Sequence, residues 1–151
     1  MGAGVLTGSE IDSILKRYDV YLGTFASDSF RLTPEMRKQA CIINTDISSA
    51  PGSHWVAIIN DQRSCHFFDS FGLPIYVTPI LKTLKENRIK NYSYNSCQIQ
   101  PYTSDNCGYY CIAFVLSYLA GHNYNDFLKN FSTNVSKNDN ICYNLIGKYI
   151  S

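Results

Sequence analysis

The chain has few features that would assign it to a special class at once. Its 13 Lys and Arg are almost balanced by 12 Asp and Glu, so the composition specifies neither a polyanion-binding protein nor an acidic solvating tail. A loose basic run, Lys82, Lys85, Arg88 and Lys90, most often marks a solvated helix face, and only weak DNA contact is expected of it. Long apolar runs are missing too. The longest, from Ile112 to Leu119, is too short for a bilayer and is interrupted by Ser117 and Tyr118, so no membrane span is expected. Met1 to Thr7 lacks the charged and apolar regions of a secretion signal, and Leu6 stands where a myristoylation motif has Ser or Thr. The chain therefore reads as one kept inside a cell, where the sequons at Asn91, Asn130 and Asn134 go unused. The cysteines at 41, 65, 97, 107, 111 and 142 include no CxxC pair and no zinc-module spacing. Neither a metal site nor a disulfide scaffold is expected.

What is present is the material of an ordinary core. The apolar fraction is 45% and the aromatic fraction 14%, with twelve tyrosines, over 151 residues. That length suits one domain, read here as 1–151, and leaves no room for long disorder. Ser9 to Tyr18 reads as a short amphipathic helix with Ser9 as its cap and Ile11, Ile14, Leu15 and Tyr18 on one side. Thr33-Pro34-Glu35 suggests a brief helical turn, and Ala40 to Thr45 a buried strand. His54 to Ile59 and Ser64 to Asp69 are apolar runs around Asn60-Asp61-Gln62-Arg63, the composition of a four-residue hairpin loop. A helix is expected from Ile75 to Glu86 and a strand from Asn91 to Ile99. Cys107 to Ala120, apolar nearly all round and closed by Gly121, reads as the central buried helix, with shorter helices near Asn125–Phe131 and Asp139–Ile150.

The hairpin carries a chemical consequence. A turn at Asn60–Arg63 pairs Ile59 with Ser64 and, counting back, His54 with Asp69, so an imidazole and a carboxylate share one face about 5 Å apart. A one-residue slip would separate them. A thiol attacks a carbonyl as its thiolate, and the positive end of a helix, like an imidazolium, favours that anion. Cys107 occupies such a helix start, with Asn106 or Asp105 available as cap and Gly108 leaving the backbone beside the sulfur open. Cys111, a turn further in, lacks these advantages. Gln100, in the preceding loop, and the Cys107 amide are candidate donors to an oxyanion. The set is that of an acyl-transfer site: Cys107 as nucleophile, His54 as base, Asp69 orienting the base and Gln100 stabilising the intermediate.

Taken singly, each residue has a plainer meaning. A lone cysteine is more often a buried hydrophobe, Asp69 could cap a turn, Gln100 could be a loop amide and Trp55 a core aromatic. It is the set that gives them weight. His66 faces the other side of its strand and His122 follows a helix-ending glycine, so both read as structural or solvent-facing. Cys41, Cys65, Cys111 and Cys142 read as core thiols, and Cys97 as a core or edge thiol.

Tyr21-Leu22-Gly23-Thr24-Phe25, Ala40 to Thr45, Gly52-Ser53-His54-Trp55, Phe68-Asp69-Ser70-Phe71-Gly72 and Gln100 through Asn106-Cys107-Gly108-Tyr109-Tyr110-Cys111, in that order, resemble segments of the adenain-like cysteine proteases. That group holds the adenovirus maturation protease and, more distantly, proteases that deconjugate SUMO. The resemblance implies an α+β, papain-like fold of the adenain type, a mixed sheet packed against a central nucleophile-bearing helix. It also implies a triad in the order His54, Asp69, Cys107, with Gln100 at the oxyanion position and Trp55 shielding the catalytic pair. The front half favours the viral maturation branch, and with it cleavage of viral structural precursor polypeptides at Gly-containing sites, at the assembly site in nucleus or cytoplasm and within the virion. The alternatives are a deconjugase for SUMO or another ubiquitin-like modifier and a catalytically silent interaction domain. The family pattern includes activation by a disulfide-linked peptide and by DNA. Here Cys97 lies closer to Cys107 than the peptide-linking cysteine lies to its nucleophile in that pattern, and the charge is near neutral. The expectation is a monomer active alone, without cofactor.

Overall fold

The computed structural model describes residues 5–62 and 64–150, so Met1–Gly4, Arg63 and Ser151 lie outside the described residues, and with them part of the N-terminal reading and one position of the expected hairpin loop. The chain begins with α1 (Gly8–Leu15). Its cap is Thr7 rather than the expected Ser9. Thr7 accepts from the Glu10 amide while the Glu10 carboxylate accepts from the Thr7 amide, a reciprocal capping box that satisfies two donors at once. Five strands follow, β1 (Tyr21–Ala26), β2 (Lys38–Asn44), β3 (Trp55–Asp61), β4 (Ser64–Phe68) and β5 (Ser93–Tyr94), in spatial order β1-β2-β3-β4-β5. The two outer pairs are parallel and the two inner pairs antiparallel, which makes the sheet mixed.

Several local expectations change for identifiable reasons. Gly23, at φ +137°, absorbs a register shift in β1 between Tyr21 and Gly23, so a segment that looks irregular still pairs with β2. Thr33–Met36 closes the single turn expected there. Helix α2 (Thr78–Glu86) starts later than Ile75, with Pro79 in its first turn, where the missing N–H costs nothing. Ile75 is buried before the helix starts. The expected strand Asn91–Ile99 reduces to the two residues of β5, because Asn95 and Ile99 are hydrogen-bonded to the turn after β4 instead of to a strand.

The central strands are buried on both faces. One face (Ala40, Ile42, Ala57, Ile59, Phe68) packs under α1, α3 (Cys107–Leu119) and α5 (Asn138–Ile150). The other (Cys41, Ile43, Val56, Ile58, Phe67) packs against Ile80 and Leu84 of α2. Helix α3 lies between the sheet and α5, which is why its sequence is apolar all round. A short α4 (Tyr124–Leu128) adds Phe127 to the same core. Among the described residues no helix is long and apolar enough to cross a membrane.

Candidate active site

His54 directly precedes β3 and Asp69 directly follows β4, so the antiparallel pairing brings both to one end of the sheet. The register is not the expected one. Asp61 pairs with Ser64 and Ile59 with His66, so two positions instead of four separate the strands. Asn60 and Asp61 extend the ladder instead of turning, a shift of two positions. Because side chains alternate with period two, that shift keeps both residues on the face they were expected to share, and only moves them from opposed to diagonal. Continuing the ladder past Ala57↔Phe68 sets His54 level with Phe71, and their rings stack with centroids 4.9 Å apart.

The His54 Nε2 and Asp69 Oδ1 atoms are 2.8 Å apart. Asp69 is fully buried; its Oδ1 also accepts from the Phe71 amide at 2.9 Å, and Asn95 holds its backbone by accepting from the Asp69 amide and donating to its carbonyl. With Nε2 engaged, Nδ1 is the ring nitrogen left for Cys107, whose sulfur lies against the amide of the adjacent Trp55. Burial alone would lower the imidazole pKa. The hydrogen bond that the ring donates to Asp69 and the electrostatic interaction with Asp69 and Cys107 outweigh it and lift the pKa to about 9.

Cys107 is the first residue of α3, 6% exposed, and its Sγ accepts from the Trp55 amide at 3.4 Å. Neither expected cap closes the helix by its side chain. Asn106 takes the N-cap position but makes no side-chain capping bond, and its own amide donates to the Ser104 hydroxyl at 3.1 Å. The first-turn amides of α3, Cys107 included, are thus not covered by a cap and remain available to an anion. Gln100 is 1% exposed. Its Oε1 accepts from the Ser70 hydroxyl and its Nε2 donates to the Ser104 carbonyl at 2.7 Å. A carbonyl can only accept, so this fixes which end of the amide is the donor and leaves one of its two N–H protons for another partner.

Cys41, Cys65, Cys111 and Cys142 are buried, as expected of core thiols, whereas Cys97, expected in the core or on an edge strand, is exposed in the segment after β5. Burial pushes the first four thiols up, which makes them poor nucleophiles near neutral pH. His66 bonds the hydroxyls of Ser64 and Ser93, and His122 rests against Tyr149, so neither enters the site.

A cleft of about 530 Å³ runs up to His54 and Trp55, walled by Thr24, Phe25, Asp46 and Ile47. Its loop is shaped by Asn44, whose Oδ1 accepts from the amides of Asp46 and Ser53, while the Thr45 amide donates to the His54 carbonyl. The Trp55 indole donates to the Leu6 carbonyl at 2.9 Å and ties the segment before α1 to the cleft. Sequence reasoning did not identify Phe71, Ser104 or Asn95 as parts of this site. Phe71 lay inside a recognised motif, but nothing in the sequence signalled the partners of the other two.

No family model matches the chain. It is 50% identical over 36 residues to the cysteine protease S273R of African swine fever virus (isolate Tick/Malawi/Lil 20-1/1983), a match that spans 21% of this chain and 13% of that protein. The crystal structure of the African swine fever virus pS273R protease superposes with a TM-score of 0.65 at 20% identity, covering 95% of this chain and 66% of that one. The SUMO protease Ulp1, at 16% identity, covering 95% of this chain and 63% of that one, reaches a TM-score of only 0.40, too low to define a shared fold. The chain therefore has the papain-like cysteine protease fold that its resemblance to the adenain-like enzymes implies, and it shares that fold with the African swine fever virus protease.

Proposed function

We propose that this chain is a cysteine endopeptidase in which Cys107 is the nucleophile, His54 the general base and acid, Asp69 the carboxylate that orients His54, and Gln100 the oxyanion donor. The observation that carries the reading is the His54–Asp69 pair, 2.8 Å apart, with the Cys107 sulfur at the start of α3 against the amide of the next residue, Trp55. The Cys107 sulfur attacks the scissile carbonyl carbon while its proton resides on His54 Nδ1. The negative oxygen of the tetrahedral intermediate takes hydrogen bonds from the free Gln100 Nε2–H and the Cys107 amide. The C–N bond then breaks, His54 protonates the leaving amine, and a water activated by the same imidazole hydrolyses the thioester.

The finer reading is of a viral type of enzyme that cuts structural precursor polypeptides at Gly-containing sites. It is supported by the motifs shared with adenain-like proteases and by the partial match to a viral cysteine protease. The test is cleavage of a Gly-Gly reporter peptide and a peptide library, with iodoacetamide labelling near pH 6 as a separate probe of the thiol. Wild-type protein should cut and Cys107→Ala should not, and Cys107 should alkylate faster than exposed Cys97. A protein that leaves every peptide intact, with Cys107 no more reactive than Cys97, overturns the proposal.

A further inference from the structure

The amide of Gln100 is held by a chain of contacts that runs to the other end of the sequence. Its Nε2 donates to the Ser104 carbonyl, 2.7 Å away. The Ser104 hydroxyl accepts from the Asn106 amide and donates to Asp139 Oδ1, each at 3.1 Å. Asp139 Oδ1 also accepts from the hydroxyl of fully buried Tyr110 on α3, at 2.7 Å. One residue earlier, buried Asn138 donates to the Ile99 carbonyl at 2.8 Å. The first two residues of α5 thus grip both ends of the segment that carries Gln100 and leads into Cys107.

We infer that Ser104 and Asp139 are positioning residues for the oxyanion donor: Asp139 fixes the Ser104 hydroxyl, and the Ser104 carbonyl fixes which way the Gln100 amide faces. This rests on the proposed protease chemistry. The physical case is one of geometry. Loop 101–106 has no strand or helix of its own; the turn bond from the Ser104 amide to the Pro101 carbonyl is local, Asn106 is tied to α3 by the Tyr110 amide, and the tie to α5 holds Ser104 itself to the fold. Asp139 stands in the first turn of α5, where a carboxylate is favoured by the helix dipole, so it is a stable anchor. Oxyanion stabilisation depends on donors held in place before charge develops, and small misplacements are costly.

The test exploits a difference between two reactions of one sulfur. Peptide cleavage passes through an oxyanion, whereas alkylation by iodoacetamide is a displacement at carbon that forms none. Ser104→Ala and Asp139→Asn should each lower kcat roughly tenfold to a hundredfold with KM changed less than about threefold, while the rate of Cys107 alkylation stays within about twofold of wild type. Binding of a peptide aldehyde, which forms a tetrahedral adduct, should weaken in parallel with kcat. In a Gln100→Ala background, Ser104→Ala should cost little more, because the group it positions is already gone. Thermal melts of every variant check folding, and Asp139→Asn, which keeps the shape of the side chain but replaces its charge and one acceptor oxygen by an NH2 donor, stands in if Ser104→Ala unfolds. Alkylation slowed as much as turnover, or full additivity with Gln100→Ala, overturns the inference. Wild-type protein that neither cleaves nor shows a reactive Cys107 instead overturns the protease reading on which it rests.

Discussion

At the scale of single residues, the charge state of His54 bears on stability and, in the proposed reaction, on chemistry. Its pKa in the folded site is about 9, against about 6.5 for an exposed histidine. The folded chain therefore holds a proton on His54 over an interval of pH in which the unfolded chain has released it. The stabilisation is fully present below pH about 6.5 and is lost as pH rises towards 9, since stability falls with pH wherever the native state binds more protons. Melting temperature followed from pH 6 to 10 should decline more steeply in wild type than in His54→Gln, and matching slopes would count against the assignment. In the proposed reaction the same group sets the alkaline limb of activity. Above pH about 9 the imidazole has no proton to give the leaving amine, so kcat/KM should fall there. The Phe71 ring stacked on His54 keeps the imidazole plane in place while this proton moves.

At the scale of elements, the turn after β4 shows what carries Asp69 into position. The Gly72 amide donates to the Asp69 carbonyl at 2.8 Å, and Gly72 adopts φ +80°. A Cβ there would lie 2.5 Å from the Cys97 carbonyl carbon and 2.8 Å from the Gln98 nitrogen, both backbone atoms that cannot swing aside. Gly121, just past α3, also has positive φ, +95°, but nothing lies within 4 Å of its would-be Cβ. Denaturant titration should show Gly72→Ala costing about 3 kcal/mol or more and Gly121→Ala about 1 kcal/mol, with activity lost in the first and kept in the second. Equal costs would mean that the close approach to Cys97 does not constrain the turn. These elements also show why part of the architecture could be read in advance. The nucleophile helix and the hairpin were legible because apolar periodicity reports burial directly, and the partnership of His54 and Asp69 survived a two-position register error because strand faces repeat every two residues. Turn length was not legible: Asn60 and Asp61 have turn chemistry yet stay in the ladder, where Asp61 accepts from the hydroxyl of Tyr118 on α3. The Thr7 cap was legible, though Ser9 was the residue expected: only Thr7 has a Glu three positions on to complete the box. Ser104 and Asp139 could not be linked at all, because the contact spans 35 positions and no periodicity encodes it.

At the scale of the whole molecule, the sheet separates two cores with unequal bearing on the site. Helix α3 carries Cys107 and packs in the core beneath α1 and α5, whereas α2 closes the opposite face. Ile112 of α3 and Ile80 of α2 are both fully buried isoleucines, so cutting either to alanine removes the same atoms from the same kind of environment. Each substitution should destabilise by about 2–5 kcal/mol, the transfer term plus the cavity left behind. Their effects on chemistry should differ. A cavity beside Ile112 lets α3 settle relative to β3, which moves the sulfur against the Trp55 amide and His54. A cavity beside Ile80 lets α2 settle against the far face, with the sheet between it and the nucleophile helix. Measured well below the melting temperature of each variant and corrected for the folded fraction, kcat/KM should fall at least tenfold in Ile112→Ala and stay within about threefold of wild type in Ile80→Ala. Similar losses in both would show that the sheet transmits packing changes from one core to the other and that the site depends on the fold as a single unit.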